Sequence, residues 1–189
     1  MKNLKKQKIV IIGGGIIGLS TAWQLARQEQ EIIVLDSKFK EKLNRARSLN
    51  GSTASLGVLM GNIFTKSSGR GWRMRKRSME LWPEWIKNLS NYDPKLSIHK
   101  PLIKLARSET EKKFFDKLLE RKKNNDLYSI QPEDVKEIFP NLSVKNYGAI
   151  ISPFDGRVDP IRLQNCLKKA LNYHKVKLIA QHIIDINRN

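Results

Sequence analysis

The chain has 189 residues, a formal net charge of +18, 40% hydrophobic residues and 7% aromatics. That composition excludes disorder throughout and allows one well-buried domain, or one domain and part of another. The basic residues number 10, 9 and 10 in successive stretches of fifty and 7 in the last 39, an even spread that argues for a lysine-rich surface and against a nucleic-acid-binding stripe.

Met1–Lys8 is basic and leads straight into an apolar run, without the apolar core and cleavage site of a signal peptide. The longest apolar runs, Ile9–Ile12 and Ile32–Leu35, have strand length and fall short of a membrane span. A cytoplasmic protein with no membrane partner is expected. Lys8–Ile12 is β-branched and reads as a buried parallel strand. Gly13-Gly14-Gly15-Ile16-Ile17-Gly18 follows and supplies G-x-G-x-x-G spacing at Gly13, Gly15 and Gly18. Gly13 allows the tight turn, Gly15 lets the backbone approach a pyrophosphate, and Gly18 lets the next helix pack on the sheet. That helix, Ile16 to Arg27, aims the N–H groups of Ile16 and Ile17 and its positive dipole end at the phosphates. Ile17, Leu19, Ala22, Leu25 and Ala26 are expected to hold it against the sheet. Gln28-Glu29-Gln30 lacks a C-capping glycine, so a loose turn is expected there.

Glu31–Asp36 reads as a second strand ending in a carboxylate, 18 residues beyond Gly18, where it can accept hydrogen bonds from ribose hydroxyls. Ser37, next along, is a further candidate contact. The acid would repel a 2′-phosphate, which disfavours NADP. This βαβ unit is a dinucleotide site, but the motif alone leaves FAD and NAD open.

Asn50–Gly61 is rich in small residues, as needed where backbone lies close to a flat ligand, and Leu56–Met60 argues for burial. Arg70, Arg73, Arg75, Lys76 and Arg77, with Trp72, Met79, Trp82, Ile86 and Leu89 at helical spacing, fit the solvated face of an amphipathic helix. Lys100–Arg107 reads as a strand. Ser108 and Glu111 form a capping box before a helix over Glu109–Asn124, and Gln131–Phe139 reads as a short helix. Ile150–Pro160 reads as a strand, a turn at Asp155-Gly156 and the start of a helix running to Tyr173. Val176–Ala180 and Ile183–Ile186 are strand-like. The lone Cys166 excludes an internal disulfide and falls in the Pro160 helix as an inert buried thiol. Tyr92, Tyr128, Tyr147 and Tyr173 read as packing residues, and His99, His174 and His182 are too scattered to hold a metal.

In this order the segments resemble the FAD-dependent oxidoreductases of the D-amino-acid oxidase superfamily, and among them the glycine-oxidase and ThiO-like amine oxidases. The resemblance implies an α/β fold: a Rossmann-like FAD-binding domain with the first part of an inserted α+β substrate domain. It divides the chain into residues 1–91, 92–152 and 153–189, the last a return to the FAD domain through Asp155-Gly156-Arg157-Val158-Asp159-Pro160. It implies FAD as cofactor, flavin-lining roles for Ser52, Thr53, Ala54, Ser55 and Gly57, and a backbone contact to the adenine near Ile184. It implies oxidation of a small amine or amino acid, such as the glycine oxidation that serves thiamine biosynthesis.

Members of that family are considerably longer. The resemblance assigns the substrate-carboxylate arginine and tyrosine, and the last FAD-domain strand, to a C-terminal half absent from this chain, so no catalytic residue is named. The first strand's flank is then expected to be unpaired. The chain alone is expected to be poorly soluble or partly molten, or to pair with a second polypeptide or a second copy. A monodisperse monomer with a cooperative melt would contradict this. Two other readings carry less: a shortened, non-catalytic remnant that binds nucleotide weakly, and an NAD-dependent dehydrogenase. A nucleic-acid-binding protein rests on charge alone.

Overall fold

A computed structural model describes residues 7–41, 51–64, 68–122, 127–142 and 145–187. Asn50 and the predicted last turn of the Glu109 helix, to Asn124, lie outside them. In chain order the elements are β1 (Lys8–Ile12), α1 (Ile16–Ala26), β2 (Glu31–Leu35), α2 (Gly51–Ala54), β3 (Val58–Leu59), α3 (Gly69–Leu89) and β4 (Leu102–Leu105). Then follow α4 (Glu109–Arg121), β5 (Tyr128–Ile130), α5 (Pro132–Ile138), β6 (Ala149–Ser152), β7 (Gly156–Arg157), α6 (Pro160–Tyr173) and β8 (Lys177–Ile179). No helix among the described residues is long and apolar enough to cross a membrane.

The chain falls into two compact units. The first comprises Met1–Leu56, Ile86–Ser97 and Asp159–Asn189, and the second Gly57–Trp85 and Ile98–Val158. The division differs from the boundaries drawn on the sequence at 91/92 and 152/153. Gly57–Leu59 goes with the second unit because β3 pairs antiparallel with β7, Val58 opposite Arg157.

In the first unit β1, β2 and β8 form a parallel sheet with β2 in the middle. Leu19, Ala22, Trp23 and Ala26 line one face of α1 at i, i+3, i+4 and i+7 and are buried. Leu163, Cys166, Leu167, Ala170 and Leu171 do the same on α6, and Ile32 and Val34 supply the buried side of β2. Ile17 does not join this face. It is 79% exposed, because it lies two residues from Leu19 and so on the order of 200° round the helix. Trp23, absent from the expected face, takes its place.

The buried character expected of β1 is only half realised. Among the described residues β1 pairs with β2 alone, and Val10 and Ile12 are 52% and 51% exposed. The second strand-like run, Ile183–Ile186, is not a strand: none of the described strands pairs with it, and Ile184 is 90% exposed. Extended backbone becomes a strand only where a ladder partner takes up its N–H and C=O groups.

The turn after α1 is tight and not loose. Gln30 N–H donates to the Leu25 carbonyl and Glu29 N–H to the Ala26 carbonyl, with Glu29 at φ +60°. This is a Schellman motif with glutamate in the left-handed position that glycine usually takes. α6 ends the same way, with Lys175 at φ +57° and Val176 N–H on the Leu171 carbonyl. Because a side chain costs about 1 kcal/mol or more there, Glu29→Gly is expected to raise stability by roughly 0.5–1 kcal/mol. A urea melt of the variant beside the parent checks this.

Cys166 is fully buried and its thiol donates to the Leu89 carbonyl at 3.2 Å. Burial, with the Asp93 charge adding to it, pushes that thiol up to about 11. The thiolate is the reactive form, so the folded chain is expected to resist a disulfide-exchange reagent at neutral pH and to react on unfolding in urea, followed by the colour released. Two tyrosines expected to be packing residues leave much of their surface to solvent. Tyr128 and Tyr173 are exposed, whereas Tyr92 stacks edge-on to Tyr173 at 5.5 Å and bonds His174 Nε2 at 3.4 Å.

In the second unit β4, β6 and β5 form an antiparallel sheet with β6, wholly buried, in the centre. Ile63, Ala106, Phe115, Leu118 and Ile150 make its core. Ser108 caps α4 as expected, accepting the Glu111 N–H at 3.2 Å, while the Glu111 carboxylate takes the Arg107 N–H at 2.7 Å. Asp134 accepts the Gln131 N–H at 3.0 Å and closes the capping box of α5. On α3, Arg70, Arg73, Lys76 and Arg77 are exposed, as the solvated-face reading expects, but Arg75 lays its guanidinium over the Phe64 ring, 3.4 Å from its centre.

Candidate functional site

The parallel sheet sets the C-terminal ends of β1, β2 and β8 side by side, the edge at which open α/β sheets bind ligands. Gly13 leaves β1 at φ +105°, a conformation side chains rarely tolerate, and its N–H donates to the Leu35 carbonyl at 2.8 Å. α1 begins directly afterwards. A Cβ on Gly18 would stand 1.9 Å from the Gly13 carbonyl oxygen, so only glycine lets the helix start so close to the turn.

The N-terminus of α1 is left open to an anion. Gly15 is its N-cap without a side-chain cap, and no acidic residue stands in the first turn. The Ile16 N–H donates to Ser52 Oγ at 2.9 Å, which brings α2 to the helix end, and a Cβ on Gly15 would come 3.0 Å from that same oxygen. A hydroxyl both accepts and donates, so Ser52 can hold a bound phosphate oxygen as well as the helix N–H.

Asp36 closes the other side. Its Oδ2 accepts the Gly14 N–H at 2.7 Å and its Oδ1 accepts the Lys38 N–H at 2.8 Å, while its own N–H donates to the Ile179 carbonyl at 3.1 Å. The carboxylate therefore ties the glycine turn to β2 as well as lining a cavity. A cavity of about 60 Å³ lies here, lined by Gly14, Gly15, Asp36, Lys38, Phe39, Gln164 and Lys168. The Phe39 ring rests on Gly14, where a Cβ would meet it at 2.3 Å.

Of the residues expected from the sequence, the structure gathers Gly13, Gly15, Ile16, Gly18, Asp36 and Ser52 at this one edge. Thr53 is buried in α2, and Ala54, Ser55 and Ser37 are exposed. Ser55 Oγ donates to the Ser52 carbonyl at 3.0 Å. Leu56, expected to be buried, is 76% exposed. It lies in the loop between α2 and β3. Gly57 lies in the second unit at φ +65°, its carbonyl accepting the Val158 N–H at 3.0 Å. Ile184 is not among the residues lining the cavity. Gly14, Lys38, Phe39, Gln164 and Lys168 escaped sequence reasoning. The one available signal was that Gln164 and Lys168 lie at i, i+4 on one face of α6.

The Asp155 phrase does structural work in the second unit. Fully buried, Asp155 accepts N–H bonds from Gly61 at 2.8 Å, Asn62 at 2.9 Å and Ile63 at 2.7 Å. Lys122, also buried, donates through Nζ to the carbonyls of Asn62 and Phe64, 5.5 Å from the Trp72 ring centre. Burial lowers the Lys122 pKa, and the Asp155 charge opposes that. In the first unit Asp159 caps α6 through the N–H groups of Ile161 and Arg162 at 2.9 and 3.1 Å, and Arg162 pairs with Asp93 at 2.8 Å.

A family model described as FAD dependent oxidoreductase (DAO) matches residues 8–189. The chain belongs to this family. Glycine oxidase from Bacillus cereus superposes with a TM-score of 0.78 at 22% identity, covering 98% of this chain and 50% of that one. Glycine oxidase from Geobacillus kaustophilus gives 0.74 at 22% identity, over 93% and 47%. Human mitochondrial dimethylglycine dehydrogenase is 27% identical over 166 residues, 86% of this chain and 18% of that protein. The chain thus spans about half the length of these solved structures and 18% of that curated relative, and it shares the fold of the solved structures over that half. The site suits the cofactor after which the family is named. The open helix end and the Ser52 hydroxyl fit a pyrophosphate, and Asp36 fits a ribose diol.

Proposed function

We propose that the chain holds FAD by its ADP moiety and forms part of an amine or amino-acid oxidase. The observation that carries this is the meeting of an uncapped α1 N-terminus, the Ser52 hydroxyl and the Asp36 carboxylate around one glycine turn. The Gly15 and Ile17 N–H groups would take the pyrophosphate oxygens, with Ser52, itself held by the Ile16 N–H, adding a donor. Asp36, anchored by Gly14 and Lys38, would accept from the ribose. A bound flavin supplies hydride acceptance from an amine C–H, with oxygen as the terminal acceptor. Substrate selection belongs to the second unit and to protein beyond this chain's half of the family length, and the glycine-oxidase neighbours favour a small amine or amino acid. The free edge of β1, with Val10 and Ile12 half exposed, is where a further strand would add, from a longer protein, a second polypeptide or a second copy.

The test is the visible spectrum of the purified chain, followed by quenching of added FAD fluorescence. Yellow protein, or saturable uptake of FAD that ADP competes away, is the expected result. Colourless protein that takes up neither FAD nor ADP would sink the proposal and favour the remnant reading.

A further inference from the structure

The cavity beside Asp36 contains a cation that the glycine motif does not include. Lys168 reaches it from α6, one turn beyond Gln164, whose own amide is committed to the Pro160 carbonyl at 3.1 Å. The Lys168 ammonium lies 5.4 Å from the centre of the Phe39 ring, and it makes no hydrogen bond among the described residues. The half-buried setting pulls its pKa down from the usual lysine range, and the Asp36 carboxylate opposes that pull. Asp36, by contrast, already accepts two backbone N–H bonds. The cavity lining thus holds both an anion anchored by two backbone bonds and a half-buried cation with no hydrogen bond among the described residues.

We infer that Lys168 is a ligand-binding residue of this site, donating to the ribose of an adenine nucleotide from the side opposite Asp36. The inference rests on the reading of the site as one for an ADP moiety. A ribose hydroxyl donates and accepts, so it satisfies a carboxylate and an ammonium at once, and both bonds are charge-assisted. A ribose in this cavity competes with the face of the Phe39 ring for the ammonium. A second consequence follows from the charge. Asp36 alone would repel a 2′-phosphate, and Lys168 across the cavity offsets that repulsion. Discrimination against 2′-phosphorylated nucleotides is weaker than the acid by itself implies.

Calorimetric titration of the full chain with ADP and with adenosine 2′,5′-bisphosphate tests this, on the parent, Lys168→Met and Lys168→Arg. Lys168→Met is expected to weaken ADP binding about tenfold, the loss typical of one charge-assisted hydrogen bond, and to weaken the bisphosphate by a larger factor. Lys168→Arg is expected to stay within about threefold of the parent for both. Melting without ligand, run alongside, separates binding from folding: the inference expects the Met variant to melt no lower than the parent but to show a smaller upward shift with ADP. Equal ADP affinity in the parent and the Met variant, with an unchanged ratio between the two nucleotides, overturns the role of Lys168 and leaves the ADP site standing. A folded parent that binds no ADP overturns the site itself, and the inference with it.

Discussion

Asp155→Ala is expected to cost about 3–5 kcal/mol of stability, the loss typical when one partner of a buried charged network is removed. The carboxylate is fully buried and accepts from the consecutive N–H groups of Gly61, Asn62 and Ile63. Alanine strands those donors where water cannot replace the acceptor, at roughly 1–3 kcal/mol for each one left fully buried. It also removes the nearest opposing charge from the buried ammonium of Lys122. Native domains are stable by only about 5–15 kcal/mol in total, so the second unit should melt early or fail to fold. Asp155→Asn keeps one acceptor oxygen and should lose about half as much. The double variant Asp155→Ala/Lys122→Met should recover part of the loss, since it no longer leaves a buried cation without its anion. Urea melts of the four proteins, followed by tryptophan fluorescence, measure all of this. A loss below about 1 kcal/mol for Asp155→Ala would show that the loop at 61–63 satisfies its N–H groups some other way.

Gly18→Ala carries the second large effect, on the first unit and on binding together. The added methyl would stand 1.9 Å from the Gly13 carbonyl oxygen. Its obstacle is backbone, with no side-chain rotamer able to yield. α1 must move away from the turn, at an overpacking cost of about 1–3 kcal/mol. Moving it carries the Gly15 and Ile16 N–H groups off the position at which Ser52 and the glycine turn converge. ADP binding should therefore fall by more than the melt alone accounts for. Gly71→Ala is the control. It puts the same methyl on an exposed position of α3 with nothing within 4 Å, and it should stabilise by about 0.5–1 kcal/mol through helix propensity. If Gly18→Ala binds ADP as the parent does, the close approach of helix and turn is not what shapes the site.

The candidate site was half legible in the residues. Gly13, Gly15, Gly18 and Asp36 announced themselves because each acts through backbone geometry or through spacing within one βαβ unit, and the structure brings them to one edge. The capping residues Ser108 and Asp159 were legible for the same reason: a cap answers N–H groups two or three residues away. Gln164 and Lys168 were not, because their cavity exists only once α6 has folded back beside the glycine turn. Nor was the task of Asp155, whose N–H partners stand more than ninety residues earlier.

The misread elements follow the same rule. Ile183–Ile186 has the residues of a strand, but strand formation is a property of a pair, and no described strand lies beside it. Ile17 and Leu56 are apolar enough for a core and are exposed, since helix phase and loop position decide where a side chain points. Glu29 shows that a Schellman turn closes even where its left-handed position lacks glycine, at a modest energetic cost. The sequence by itself determined the glycine turn, the acid that follows β2, the helix caps and the order of elements, because each depends on neighbours within a few residues. Only the tertiary structure decided which buried polar groups meet across the chain, and so which cation faces Asp36. Such contacts depend on chain topology, which no local pattern encodes.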